Sequence, residues 1–192
     1  MRNIFIFPLL SIVLACSNIA VPNNDFMNLI TQVEKLNITR EKYTLGKQLT
    51  REQKKIASDN RVEHSIPGTF KFRDNNLFII ADKNSERTLI IYEQYEPVSV
   101  KKIQDLLGAL IFDFGDPTVF VHDKLLYWAY SDKAKLSQDE YKKIKESKIK
   151  NPFMATVKLS SNIPLLSKED TDEDGSIYYI ISSAKVLKTL NP

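Results

Sequence analysis

TFKFRDNNLFIIADKNSERTLIIYEQY, residues 69–95, is the stretch that decides the fold. Thr69 to Arg73 alternates Phe70 and Phe72 with polar residues, the period-2 signature of a strand with one buried face. Asp74-Asn75-Asn76 reads as a turn, and Leu77 to Ala81 (LFIIA) as an apolar strand. Lys83-Asn84-Ser85-Glu86 is a second turn, and Thr88 to Tyr95 a third strand. Turns this short can join only antiparallel neighbours, so the stretch predicts a meander.

A sheet with one apolar face needs a cover, and the next residues supply one. After Ser99, apolar side chains fall at Val100, Ile103, Leu106, Leu107, Leu110, Ile111 and Phe114, a wide stripe at helical period. Gly115-Asp116-Pro117 ends this helix. Upstream, Asp25 opens a helix to about Leu36 that carries Phe26, Leu29, Ile30 and Val33. Thr50-Arg51-Glu52-Gln53 is a capping box for a short helix to Ser58. Downstream, Val119–Val121 and Leu125–Tyr130 form a second hairpin. Ser137-Gln138-Asp139-Glu140 caps a Lys-rich helix to about Lys148. Ala155–Ser160 and Ser176–Leu187 read as closing strands. The expected fold is therefore α+β: an antiparallel sheet of about six strands, in meander and hairpins, with helices packed on one face.

The composition excludes several classes. The chain has 192 residues, 27 basic and 24 acidic, with a formal net charge of +3, too near balance for a dedicated nucleic-acid binder. Its 5 glycines are too scattered to build a phosphate loop. Its 1 cysteine permits neither an internal disulfide nor a multi-thiolate zinc site.

That cysteine ends the one segment that reads differently from the rest. Arg2 precedes the apolar run Ile4–Ala15, which is shorter than the ~20 residues a membrane-spanning helix needs. The run closes Val13-Leu14-Ala15-Cys16-Ser17. Here the chain resembles bacterial lipoproteins, whose lipobox is an aliphatic residue, a spacer, a small residue and Cys. The resemblance implies residues 1–15 as a cleaved signal peptide and a diacylglycerol on the Cys16 sulfur. An acyl chain such as palmitate would sit on the new amine. Residues 16–24 would then be a lipidated tether, and residues 25–192 a single domain. With Ser17 rather than Asp after the Cys, the resemblance points to the outer membrane, facing the periplasm. The competing reading is an ordinary signal peptide in which Cys16 is incidental.

Four other constellations carry chemistry. Asp170, Asp172 and Asp174, followed by Gly175 and Ile177, match the first half of a calcium loop, and calcium is the one cofactor the sequence suggests. The twelfth position is Ile181 where an EF-hand needs Glu, so the alternatives are a looser calcium loop and a solvated acidic turn. His122 beside Asp123, with His64 distant in sequence, could be an oriented base, yet Asp123 sits where a hairpin turn needs a polar residue. No catalytic residue is assigned. Trp128 and Tyr130 share one strand face, as anchors for a partner or as the edge of the core, and the same choice applies to Tyr92 and Tyr95. Lys133, Lys135, Lys142, Lys143, Lys145, Lys148 and Lys150 form a basic run, either a solvated helix face or a surface for anionic headgroups. An apolar-basic-Asp-x-x-Leu-aromatic pattern also recurs at Phe72–Phe78 and Val121–Tyr127, from duplication or from similar turn chemistry.

A helix, then Gly115-Asp116-Pro117, then a strand with Trp128-x-Tyr130 is similar to the small outer-membrane lipoproteins of the SmpA/OmlA type. These assist the β-barrel assembly machinery. Phe114 stands where that family has Leu. The functional expectation is a non-enzymatic lipoprotein held in the bilayer by acylated Cys16, with a domain that binds another envelope protein. The alternative is a receptor for calcium or a small molecule, and an enzyme built around His122 is a third reading.

Overall fold

The computed structural model describes residues 24–63, 66–147, 152–166 and 175–190. In chain order these form α1 (Asn24–Lys35), β1 (Thr39–Arg40), β2 (Tyr43–Thr44), α2 (Arg51–Asp59), β3 (Arg61–Val62), β4 (Thr69–Asp74), β5 (Leu77–Asp82) and β6 (Thr88–Val98). There follow α3 (Val100–Phe114), β7 (Val119–Val121), β8 (Leu125–Tyr130), α4 (Gln138–Glu146), β9 (Ala155–Ser161), β10 (Gly175–Ser182) and α5 (Ala184–Leu190). The fold is α+β. Among the described residues the main sheet has eight strands, in the order β3-β4-β5-β6-β10-β9-β8-β7, and β1 and β2 form a small hairpin of their own. The sheet is wider than expected because β3, which matches none of the expected strands, extends one edge; β10, one of the expected closing strands, inserts between β6 and β9 and fuses the meander and the second hairpin.

Every pairing in the main sheet is antiparallel, so the register sorts the side chains into cross-strand rows. Phe72, Ile79, Ile91, Ile181, Val157 and Trp128 face one another in a row across six strands. All six are 0% exposed, which marks this as the inner face. Helix α3 covers its Trp128 end: Val100, Ile103, Leu106, Leu107, Leu110 and Phe114 are buried, and the Phe114 ring packs at 6.1 Å from Trp128, while Tyr43 of the small hairpin packs at 5.8 Å from Phe72 at the other end. Ile111, part of the predicted stripe, stands off this face and is 37% exposed.

The helix ends follow the sequence signals. Thr50 with Gln53, and Ser137 with Glu140, form reciprocal capping boxes, and the Ser99 side chain accepts from the Lys102 N–H. Gly115 terminates α3 at φ 68°, where a side chain would be strained, and its N–H donates to Ile111 O at 2.7 Å. Gly46 is tighter still. At φ 82° it lies against α1, and a Cβ there would sit 2.8 Å from Ile30 O and Glu34 N. Residues 184–190 correct the expectation for the last strand, because β10 stops at Ser182 and the chain turns into α5, whose Val186 is buried.

Candidate functional site

The two faces of the sheet carry different chemistry. On the inner face, the row beside the apolar one holds Asp74, Leu77, Tyr179, Leu159 and Leu126, with Glu93 opposite Tyr179. Glu93 is 3% exposed, an expensive place for a carboxylate unless donors surround it. It accepts from Tyr179 Oη at 2.6 Å and from Tyr95 Oη. The β1–β2 hairpin supplies the counter-charge. Arg40 Nε donates to Tyr179 Oη at 3.0 Å, Nη1 to Asp113 at 2.6 Å, and Nη2 lies 3.8 Å from Glu93. Beside it, Tyr43 Oη donates to Asp74 at 2.8 Å, and Lys42 Nζ pairs with the same carboxylate at 2.9 Å.

This network shifts its members in physically consistent directions. Burial raises the Tyr179 and Tyr95 phenols well above their ordinary value, and the bonds they donate to Glu93 raise them further. Burial and Asp74 do the same to Tyr43. Burial alone pushes Tyr130 up to about 12. Burial opposes the charge of Arg40, but Tyr179, Asp113 and Glu93 outweigh it, so its pKa lies above the usual guanidinium value. Among the described residues no buried side-chain nitrogen or oxygen lacks a hydrogen-bond partner. The network is closed on itself and holds the β1–β2 hairpin to the sheet.

A pH dependence follows. Phenols in the unfolded chain ionise near pH ~10, and those of Tyr43, Tyr95 and Tyr179 ionise higher when folded. Between those values the folded state binds more protons. Its advantage is therefore complete below pH ~10 and is lost as pH rises through the folded values. Urea midpoints should be flat from neutrality to about pH 9 and fall steeply above about pH 10. Phenolate absorbance should rise together with unfolding.

The outer face is half-open. Arg73, Phe78, Tyr92, Ile180, Lys158 and Tyr127 form a continuous row across β4, β5, β6, β10, β9 and β8. Phe78 and Tyr92 stack at 5.0 Å and 17°. Lys71 Nζ lies 4.9 Å from the Phe78 ring centre and 5.7 Å from that of Tyr92, and the Arg73 guanidinium lies 5.3 Å from Phe78. In the neighbouring row Tyr178 is 39% exposed, with Lys158 Nζ over its ring at 5.4 Å and donating to its hydroxyl at 3.1 Å. That bond lowers the Tyr178 pKa and raises that of Lys158.

The structure places the sequence candidates unevenly. Trp128 and Tyr130 lie in the core, 0% and 8% exposed, and Trp128 Nε1 donates to Gly115 O at 2.7 Å. Tyr130 also lines an open cleft of about 540 Å³ with Ile38, Glu41, Asp113, Phe114 and Lys135. His122 is exposed on the β7–β8 turn, where it and Asp123 adopt φ near 50°. The two hairpins of the repeated pattern differ, since Asp74 pairs with Leu77 across a two-residue turn and Val121 with Leu125 across three. Lys142, Lys143 and Lys145 are exposed on α4, whereas Lys135 caps the end of α3, donating to Phe114 O at 2.8 Å and Asp116 O at 2.9 Å. Cys16, His64, Lys148, Lys150, Asp170, Asp172 and Asp174 lie outside the described residues. Among the described residues no cluster of His, Cys, Asp and Glu could hold a metal, and no helix is long and apolar enough to cross a membrane.

Tyr92 lies in the outer row and Tyr95 donates to Glu93, but Glu93, Tyr179 and Arg40, and the outer row apart from Tyr92, were not among the sequence candidates. Alternation could have found both: Glu93 shares a face with Ile91, and Lys71 and Arg73 share the face opposite Phe70 and Phe72. Comparison of the chain with protein-family models, with curated proteins and with solved structures finds no match.

Proposed function

We propose that the chain is a lipid-anchored bacterial envelope protein whose domain binds another protein through the outer face of its sheet, without catalysis of its own. The observation that carries this reading is the asymmetry of the two faces. The inner face is covered by α3, α2 and the β1–β2 hairpin, and its buried polar groups are hydrogen-bonded. The outer face presents Phe78, Tyr92, Tyr127 and Tyr178 half-exposed or exposed, with Phe78, Tyr92 and Tyr178 in ordered contact with cations. Aromatic and basic side chains on a rigid sheet lose little entropy on docking, which favours recognition. The lipobox Val13–Cys16 supports the anchor, because two or three acyl chains hold a protein on a bilayer stably.

Two measurements test the two halves. Cys16→Ser should release the protein from the membrane fraction or leave it unprocessed. A variant that remains membrane-bound at mature mass defeats the anchor. A photo-crosslinking residue at position 178 should capture a protein in intact cells, while one at Lys142 on α4 should not. Equal capture from both sites, or none from 178, defeats the binding face.

A further inference from the structure

The outer face also carries information about what it binds. Its register defines three parallel cross-strand rows. The first is Lys71, Ile80, Ile90, Ser182, Thr156 and Ala129. The second is Arg73, Phe78, Tyr92, Ile180, Lys158 and Tyr127, and the third is Gln94, Tyr178, Ser160 and Leu125. These rows contain three cations, Lys71, Arg73 and Lys158, and no carboxylate. Exposure rises across them: Ile80 and Ile90 are 5% and 6% exposed, the second row is mostly half-exposed, and Gln94 and Tyr178 are exposed. The accessible part is thus a band along the second and third rows.

The cations are held in place. Lys71 and Arg73 lie against the Phe78–Tyr92 stack at one end of the band, and Lys158 lies over Tyr178 at the other. Two rings stacked on each other across adjacent strands stand up from the sheet, so they offer their edges to solvent. Ring edges carry the positive side of the aromatic quadrupole. Edges and cations therefore attract the same sign of charge.

The spacing sets the shape of the occupant. Arg73 on β4 and Lys158 on β9 are four strand intervals apart, about 19 Å. An extended chain covers that distance with about six residues. Between the two positive ends lie Phe78, Tyr92 and Ile180. We infer that the outer face binds an extended acidic protein segment of about six residues, lying across the strands, with carboxylates at each end and an apolar centre. This rests on the protein-binding reading above and deepens it. A narrow band with its cations folded back onto rings suits one chain better than the broad surface of a bilayer.

The test uses the full-length protein in detergent and a synthetic peptide with two acidic residues at each end around Leu and Phe. Its partner probe replaces the acids with Lys. The acidic peptide should bind, weaken as salt is raised, and lose about tenfold in affinity for R73Q or K158Q, more for both together. The Lys peptide should not bind. Phosphatidylglycerol vesicles serve as the competing surface. Equal binding of both peptides, no binding, or retention by vesicles in place of the peptide overturns the inference. These substitutions lie on the surface, and an unchanged melting curve shows that the fold is intact. The position-178 crosslink separates the two levels. If it captures a protein whose contact segment is not acidic, this inference falls while protein binding stands.

Discussion

Trp128→Ala is expected to cost about 3–5 kcal/mol, the largest effect of any single apolar truncation in this chain. The ring is 0% exposed and ends the fully buried row that begins at Phe72. It packs on Phe114, the last residue of α3, and its N–H donates to the carbonyl of Gly115, the residue that terminates the helix. The substitution therefore empties a cavity between helix and sheet and leaves the Gly115 carbonyl without its donor. Trp128→Phe separates the two contributions, since it keeps much of the ring volume and loses the hydrogen bond, and should cost about 1–2 kcal/mol. Urea denaturation followed by far-ultraviolet circular dichroism measures both, and a loss below about 1 kcal/mol for the Ala variant would contradict this packing. Trp128 is the one Trp of the chain, so its fluorescence in the parent protein should be blue-shifted and move to the red on unfolding.

The same contact shows how far the sequence could be read. Helix α3 and its Gly115 stop were legible because period and breaker agreed. The β4–β5–β6 meander was legible from alternation and short turns. Whether Trp128 was core or interface was not legible, because alternation assigns a face and cannot say what covers it. The insertion of β10 between β6 and β9 was hidden for a similar reason: antiparallel partners far apart in sequence leave no local signal. Residues 184–187 looked like strand because Val186 and Leu187 suit either element, and only the packing of Val186 decides. The β1 and β3 strands are two residues long, too short for any period to register. Glu93 was hidden by its company: within LIIYEQY a lone carboxylate reads as solvent-facing until two tyrosines and an arginine from elsewhere surround it.

Glu93→Ala is the second large effect, expected at about 3–5 kcal/mol, because it breaks a buried charged network from its centre. Loss of the carboxylate removes the acceptor of the Tyr179 and Tyr95 hydroxyls and leaves Arg40, 14% exposed at its side chain, facing one carboxylate fewer. The geometry also says how the two charges communicate. Arg40 and Glu93 are 3.8 Å apart, at the edge of a direct ion pair, whereas Tyr179 bridges them with bonds of 3.0 and 2.6 Å. The hydroxyl accepts from the guanidinium and donates to the carboxylate, so each bond polarises the other. Two consequences are measurable. In a double-mutant cycle, Arg40→Gln should cost markedly less in the Glu93→Ala background than in the parent, with a coupling energy of about 1–3 kcal/mol. In Tyr179→Phe, which deletes one oxygen and keeps the ring, that coupling should fall by more than half. If it survived intact, the direct electrostatic pair rather than the bridge would be holding the β1–β2 hairpin against the sheet. Additive costs for Arg40→Gln and Glu93→Ala would mean that the two charges act independently and that the hairpin is held by its other contacts, Arg40 to Asp113 and Tyr43 and Lys42 to Asp74.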